Sequence, residues 1–180
     1  RRKAMSAQQT RAESLLKNYD FDQAISIAVA LRDESDPRLQ QLHGWSKQFL
    51  DSVETGRMQQ RERIGTLLSE ALQHENAYDY PSGIHTLEQV PEILRGTLFP
   101  RLSITPETLL KRLHEKHDEV DRLDELIRQR VKSRQLNGLL QTVEDRLALK
   151  PGDAKFEQLR DRLIEREEKN ASQISNIVAK

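Results

Sequence analysis

Tyr78-Asp79-Tyr80-Pro81-Ser82-Gly83-Ile84 has the grammar of a helix start. An aspartate is placed to cap, a proline falls in the first turn, and Ile84, Leu87 and Val90 follow at helical spacing. The same grammar stands 59 positions earlier (79 against 20) in Tyr19-Asp20-Phe21, where Ile25, Ala28 and Leu31 fall in register with Ile84, Leu87 and Val90. An offset of 56 then carries Tyr80 to Leu136, Ile84 to Leu140 and Leu87 to Val143 (136 against 80). This third copy is weaker, because it lacks the aromatic-Asp-aromatic opening. Each copy reads as a short helix, a capped turn and a longer helix. A helical hairpin cannot cover its own apolar face, and stacking the copies is the physical reason to repeat them.

Working outward, nearly every other segment shows the same 3.6-residue period, and no segment alternates long enough to argue for a strand. Met5, Ala12, Leu15 and Leu16 predict a first helix ending near Asn18 and Tyr19. Asp20, with Gln23 three positions on, predicts a capping box for a second helix whose stripe is Phe21, Ala24, Ile25, Ala28 and Leu31. Asp36-Pro37 signals a long helix carrying Leu39, Leu42, Trp45, Phe49 and Val53, then Ile64, Leu67, Leu68, Ala71 and Leu72. The polar stretch from Thr55 to Arg63 interrupts that face, and the sequence leaves open whether the helix over 37–77 is continuous through Gly56 or breaks there. After the short helix opened by Tyr78 to Pro81, which carries Ile84, Leu87, Val90, Ile93 and Leu94, Pro91 is expected to kink or end it. Thr105-Pro106 repeats the cap-plus-proline signal for a helix through Leu109, Leu113, Val120, Leu123 and Ile127 to about Ser133. Leu136, Leu139, Leu140, Val143 and Leu147 predict another short helix. Lys150-Pro151-Gly152-Asp153 predicts a turn and a new cap, followed by a last helix lined by Phe156, Leu159, Leu163, Ile164, Ile174 and Ile177.

The expected architecture is all-α: about six helices forming three stacked hairpins, an irregular repeat array or elongated bundle. Residues 1–180 read as one domain, with approximate copies at 20–77, 79–133 and 135–178. Composition agrees. Charged residues make up 32% of the chain and aromatics 4%, a balance that suits long solvated helices better than a sandwich or an α/β enzyme core. The 29 basic and 29 acidic residues cancel, so no net field favours nucleic acid or anionic lipid. Cysteine is absent, which excludes disulfides, thiolate chemistry and cysteine-ligated zinc and fits a reducing, cytoplasmic setting. No apolar run is long enough to span a membrane, and Arg1, Arg2 and Lys3 lead into no signal-like apolar stretch. The chain opens on Arg rather than Met, as expected of a piece of a longer protein.

Two phrases carry a family resemblance: Tyr78-Asp79-Tyr80-Pro81-Ser82-Gly83-Ile84 through Val90-Pro91-Glu92-Ile93-Leu94-Arg95, and Leu139-Leu140-Gln141-Thr142-Val143-Glu144 through Lys150-Pro151-Gly152-Asp153. They resemble helical regions appended to bacterial serine/threonine protein kinases. They are similar also to segments that accompany domains resembling the formylglycine-generating enzyme, and more loosely to tetratricopeptide repeats, whose 34-residue period and signature are missing here. The resemblance covers roughly residues 60 to 165 and consists of packing and turn motifs, with no catalytic residue to transfer. It implies a regulatory or linking segment of a kinase-related protein. The kinase itself is not in this chain, since no glycine-rich phosphate loop, His-Arg-Asp or Asp-Phe-Gly occurs.

Candidate chemistry is sparse. His114, Asp118 and Asp121 lie on one helical face at i, i+4 and i+7, a spacing open to a metal, but His114-Glu115-Lys116-His117-Asp118 is not the zincin motif. We read His114 as a solvated, ion-paired residue and His117, beside Leu113 and Val120, as a histidine at the core edge. His43, His74 and His85 are scattered. Asp121, Asp124 and Glu125, with Arg122 and Arg128, read as weak pairs on a solvated face. Arg128, Arg130, Lys132 and Arg134 form the densest basic run and suit phosphate contact, but few aromatics accompany them. Trp45 and Phe49 read as core, with an interface anchor as the alternative. No catalytic, cofactor-binding or metal residue is assigned. The function expected is a non-catalytic interaction or spacer module that engages a protein partner or flanking domains, with no nucleic acid, membrane or cofactor. A coiled-coil-like homodimerising segment is the alternative, and a metal-dependent helical-bundle enzyme comes third.

Overall fold

The computed structural model describes residues 2–33 and 40–178, with side chains over 3–33 and 41–173. The described residues are all-α. Seven α-helices run in the order α1 (Arg2–Lys17), α2 (Phe21–Arg32), α3 (Gln40–Asn76), α4 (Tyr80–Glu88), α5 (Pro106–Lys132), α6 (Leu139–Leu149) and α7 (Ala154–Val178), with one turn of 3-10 helix at Glu92–Leu94. A single isolated bridge between Phe99 and Ile104 is the only β pairing among them. After α1, each short helix is followed by a longer one. The Asp36-Pro37 start signal and Leu39 lie outside the described residues.

Local chemistry sets the boundaries. Asp20 accepts from the Gln23 amide at 3.2 Å, Asp79 from the Ser82 amide at 3.3 Å, Thr105 from the Thr108 amide at 3.1 Å and Asp153 from the Lys155 amide at 3.1 Å, so α2, α4, α5 and α7 each start with a side-chain oxygen on an otherwise orphaned donor. Three helix ends share a second device. Tyr19, Tyr78 and Arg134 all adopt positive φ (63°, 59° and 55°). At each, the following amide reaches back to a carbonyl five residues earlier: Asp20 to Leu15, Asp79 to His74 and Gln135 to Arg130, all at 2.9 Å. The left-handed residue's own amide bonds three residues back, to Leu16, Glu75 and Val131 respectively, completing the two-bond pattern that closes a helix C-terminus. The left-handed positions are 59 and 56 apart (78 against 19, 134 against 78).

Two compact units divide the chain, Arg1–Ala71 with His85–Leu109, and Leu72–Ile84 with Leu110–Lys180, cutting across the approximate copies. In the first, α1 packs on α2 around Ala12, Phe21, Ala24, Ala28, Phe49 and Val53. Three alanines there let helices approach closely. Trp45 stacks on Phe49 with ring centroids 4.8 Å apart and packs against this core. The helix α3 is continuous through Gly56, which decides the alternative the sequence leaves open. Its inward stripe is carried across the polar stretch by Gly56 and Gln60, both half-buried, between Val53 and Ile64. Gly56 sits where the α1–α2 corner arrives, so that a Cβ there would lie 3.7 Å from Phe21 and 3.8 Å from Leu16.

Helix α4 stops at Glu88, two residues before the expected Val90, although Val90 remains buried. Pro91 heads the 3-10 turn, and Arg95 satisfies the open carbonyls by donating to Val90 at 3.0 Å and Glu88 at 3.2 Å. Ile93, expected on the stripe, is exposed.

In the second unit α6 packs on α7 around Ile127, Leu139, Val143 and Leu163, with Leu136, Leu140, Leu147, Phe156 and Leu159 at the margin. Tyr80 is buried, and its hydroxyl donates to the Leu149 carbonyl. The side chains of residues 165–173 of α7 are all exposed, and the expected Ile174 and Ile177 fall beyond the described side chains.

Candidate functional site

Between Pro91 and Pro106 the sequence Gly96-Thr97-Leu98-Phe99-Pro100-Arg101-Leu102 is apolar without helical period. It forms an ordered connection. The Phe99 amide meets the Ile104 carbonyl at 3.4 Å, the Leu102 and Ser103 amides return to the Phe99 carbonyl at 3.0 and 2.8 Å, and Ser103 takes a left-handed φ of 52° to close the turn. The Phe99 ring lies against α3 at Gly65, 3.5 Å from where a Cβ would stand, and the Arg61 guanidinium sits over the ring at 5.9 Å.

This packing leaves a groove of about 970 Å³ whose walls are the α3 face at Met58, Glu62 and Gly65 and the connection at Phe99, Pro100 and Leu102. Met58 is 65% exposed, and nearby in sequence Leu98 is 56% exposed. Arg61, Glu62 and Arg101 give the groove charges of both signs. The groove is lined by apolar and charged residues together, with one carboxylate, Glu62, no histidine, and two hydroxyls, Thr55 and Ser69, each of which donates to the carbonyl four residues earlier on α3.

The residues singled out in the sequence are arranged differently. His114 and Asp118 are exposed on α5, while Asp121 lies 3.8 Å from the half-buried His117 rather than beside His114. Among the described residues no group of three or more His, Asp or Glu side chains is arranged to hold a metal. Glu119 pairs with Arg122 at 2.6 Å, and Glu125 pairs with Arg128, all on the solvated face.

Asp124 departs from that face. It turns to Arg146 of α6, whose Nε donates to it at 2.8 Å. Arg146 is only 3% exposed. It also donates to the Lys150 carbonyl at 2.8 Å and to Asp153 at 3.3 Å, and its guanidinium lies 4.0 Å from the centre of the Phe156 ring. One side chain therefore joins α5, α6, the turn after it and the first turn of α7.

Glu75, 9% exposed, is a comparable junction. It accepts from Arg112 at 2.6 Å and Lys116 at 2.8 Å. Burial alone pushes its carboxyl upward, but the bonds from Lys116 and Arg112 outweigh it and hold the group below the usual glutamate range. The Lys116 ammonium also lies 5.8 Å from the centre of the Tyr80 ring. The sequence alone does not distinguish Arg146 and Glu75, because a charged residue at a stripe position looks like any solvated neighbour. Their positions on the stripe, Arg146 with Leu139 and Val143, and Glu75 with Leu68 and Ala71, were the available signal.

Among the described residues no helix is long and apolar enough to cross a membrane. Set against family models, curated proteins and solved structures, the chain gives no match in any of the three.

Proposed function

We propose that this chain is a non-catalytic helical module that binds a protein partner, or a flanking domain of its own polypeptide, through the groove between α3 and the 95–105 connection. The observation that carries this reading is the apolar lining formed by the exposed Met58 and the half-buried Leu102, with Arg61, Glu62 and Arg101 beside it. An apolar patch rimmed by charge is the usual anatomy of a protein-binding face, and Met adapts readily to the shape of a docked side chain. The length of helix α3, 37 residues, suits a spacer. The resemblance of residues 60 to 165 to kinase-appended helical regions supports placing the module in a larger kinase-related protein, and the absence of cysteine accords with the cytoplasm.

The test is photo-crosslinking in cells with a benzophenone amino acid at position 58, against the same probe at the exposed Glu70. A discrete crosslinked species at 58, lost on Leu102→Glu, supports the reading, and equal labelling at 58 and 70 sinks it. A mass that doubles with concentration in light scattering and returns to monomer in Met58→Glu assigns the groove to a second copy of the chain, the dimerising alternative.

A further inference from the structure

At the α5–α6 corner, Arg130, Arg134 and Arg166 converge with Gln135, Leu136 and Asn137 around a concavity of about 460 Å³. We infer that this concavity is a binding site for a phosphate monoester group. Three cations gather here with no carboxylate among the lining residues, although many arginines elsewhere in the chain are paired. Arg112, Arg122, Arg128, Arg146 and Arg160 each pair with a carboxylate. Among the described residues no carboxylate pairs with Arg130, Arg134 or Arg166, and none lines the concavity. Within their helices, the i±3 and i±4 neighbours are Leu126 and Ile127 for Arg130, and Arg162, Leu163, Lys169 and Asn170 for Arg166. No acid occupies any of these positions, so no intrahelical partner competes for the guanidiniums.

Two further features place the site. Arg130 is half-buried and held, its guanidinium 3.4 Å from the Thr142 hydroxyl and 3.7 Å from where a Cβ on Gly138 would stand. The helix α6 starts at Leu139 after an N-cap, Gly138, that offers no side-chain cap, so the positive end of its dipole adds to the same corner. Three guanidiniums match the charge and the several acceptor oxygens of a phosphate dianion, whereas a single carboxylate is satisfied by one fork. The ligand class is a monoester rather than a polynucleotide: the lining residues include no aromatic to stack a base, and the chain's net charge is zero. The phosphate is either a free small molecule or an ester on a phosphorylated side chain.

The test is a titration of the whole chain followed by backbone amide chemical shifts, using phenyl phosphate, inorganic phosphate and diethyl phosphate at constant ionic strength set with sodium chloride. Phenyl phosphate is expected to shift the amides of residues 134–140 saturably, and Arg166→Gln and Arg134→Gly are each expected to weaken binding roughly tenfold or more. Arg134→Gly relieves a left-handed backbone strain, so its loss of binding comes with a melting temperature equal to or above that of the parent and is not a folding defect. Saturation by inorganic phosphate as well supports the site with free anion as a sufficient ligand. Saturation by phenyl phosphate alone supports it with an esterified source. Shifts of equal size with diethyl phosphate or with chloride, or affinity unchanged in both variants, would overturn the proposal.

Discussion

The Arg146 guanidinium lies 2.8 Å from Asp124, 22 residues away, and is the most buried charged group in the described chain. A charge taken this far out of water holds its place only while its partners remain. Arg146→Ala is expected to cost about 3–5 kcal/mol, because Asp124 and Asp153 lose their cation while the Phe156 ring loses its cover. Arg146→Met with Asp124→Leu is expected to recover much of that loss, since an apolar pair of similar volume carries no desolvation penalty. Urea unfolding of the single and double variants checks both. A double variant as unstable as Arg146→Ala would show that packing, rather than the stranded charge, sets the cost.

Glu75 predicts a particular acid sensitivity. Its carboxyl is held below the ordinary range in the folded chain, so the stability it contributes is full above about pH 4.3, the unfolded value, and is lost as pH falls through the folded value. Stability measured from pH 7 down to pH 3 is expected to fall less steeply in Glu75→Gln, which binds no proton there. The difference in slope is at most about 1.4 kcal/mol per pH unit, one proton's worth. Parallel curves would remove Glu75 from the acid response.

Gly56→Ala is expected to stabilise the chain by up to about 1 kcal/mol. A glycine inside a helix costs about that much relative to alanine, and the added methyl meets Phe21 and Leu16 at ordinary contact distances of 3.7 and 3.8 Å. Thermal unfolding followed by circular dichroism reads the change. A lowered midpoint would mean that the α1–α2 corner needs a closer approach than these distances describe.

Arg134→Gly is expected to raise stability by about 1 kcal/mol, because Arg134 occupies a left-handed corner where glycine pays no steric penalty. The same substitution at Tyr19 is expected to destabilise, since Tyr19 packs on the first unit's core and contacts the Phe21 ring edge-on at 6.4 Å between centroids. Comparing the two in denaturant separates backbone relief from side-chain packing.

Some of these features were legible in the sequence and others were not. The caps at Asp20, Asp79, Thr105 and Asp153 were readable because each oxygen bonds an amide two or three residues away, within one turn. The stripe of α2 was readable too: Phe21, Ala24, Ala28 and Leu31 are buried and Ile25 partly so. The continuity of α3 was not. Gly56 and Gln60 look like an interruption until the α1–α2 corner is seen to bring Phe21 and Leu16 in over Gly56. The groove at Met58 and Phe99 was equally hidden, because an apolar loop between two prolines has no period by which to assign a face.

The all-α class, the start and stop of most helices, and the apolar side of each helix follow from the order of residues alone. These properties depend on contacts within about a turn, where chain connectivity keeps the partners close. The tertiary structure alone decided that Tyr80 meets Leu149, that Glu75 draws in Arg112 and Lys116, and that Arg146 goes inside with Asp124. Those partners are between 22 and 69 residues apart, and whether a charge so placed is solvated or buried depends on which helix packs over it.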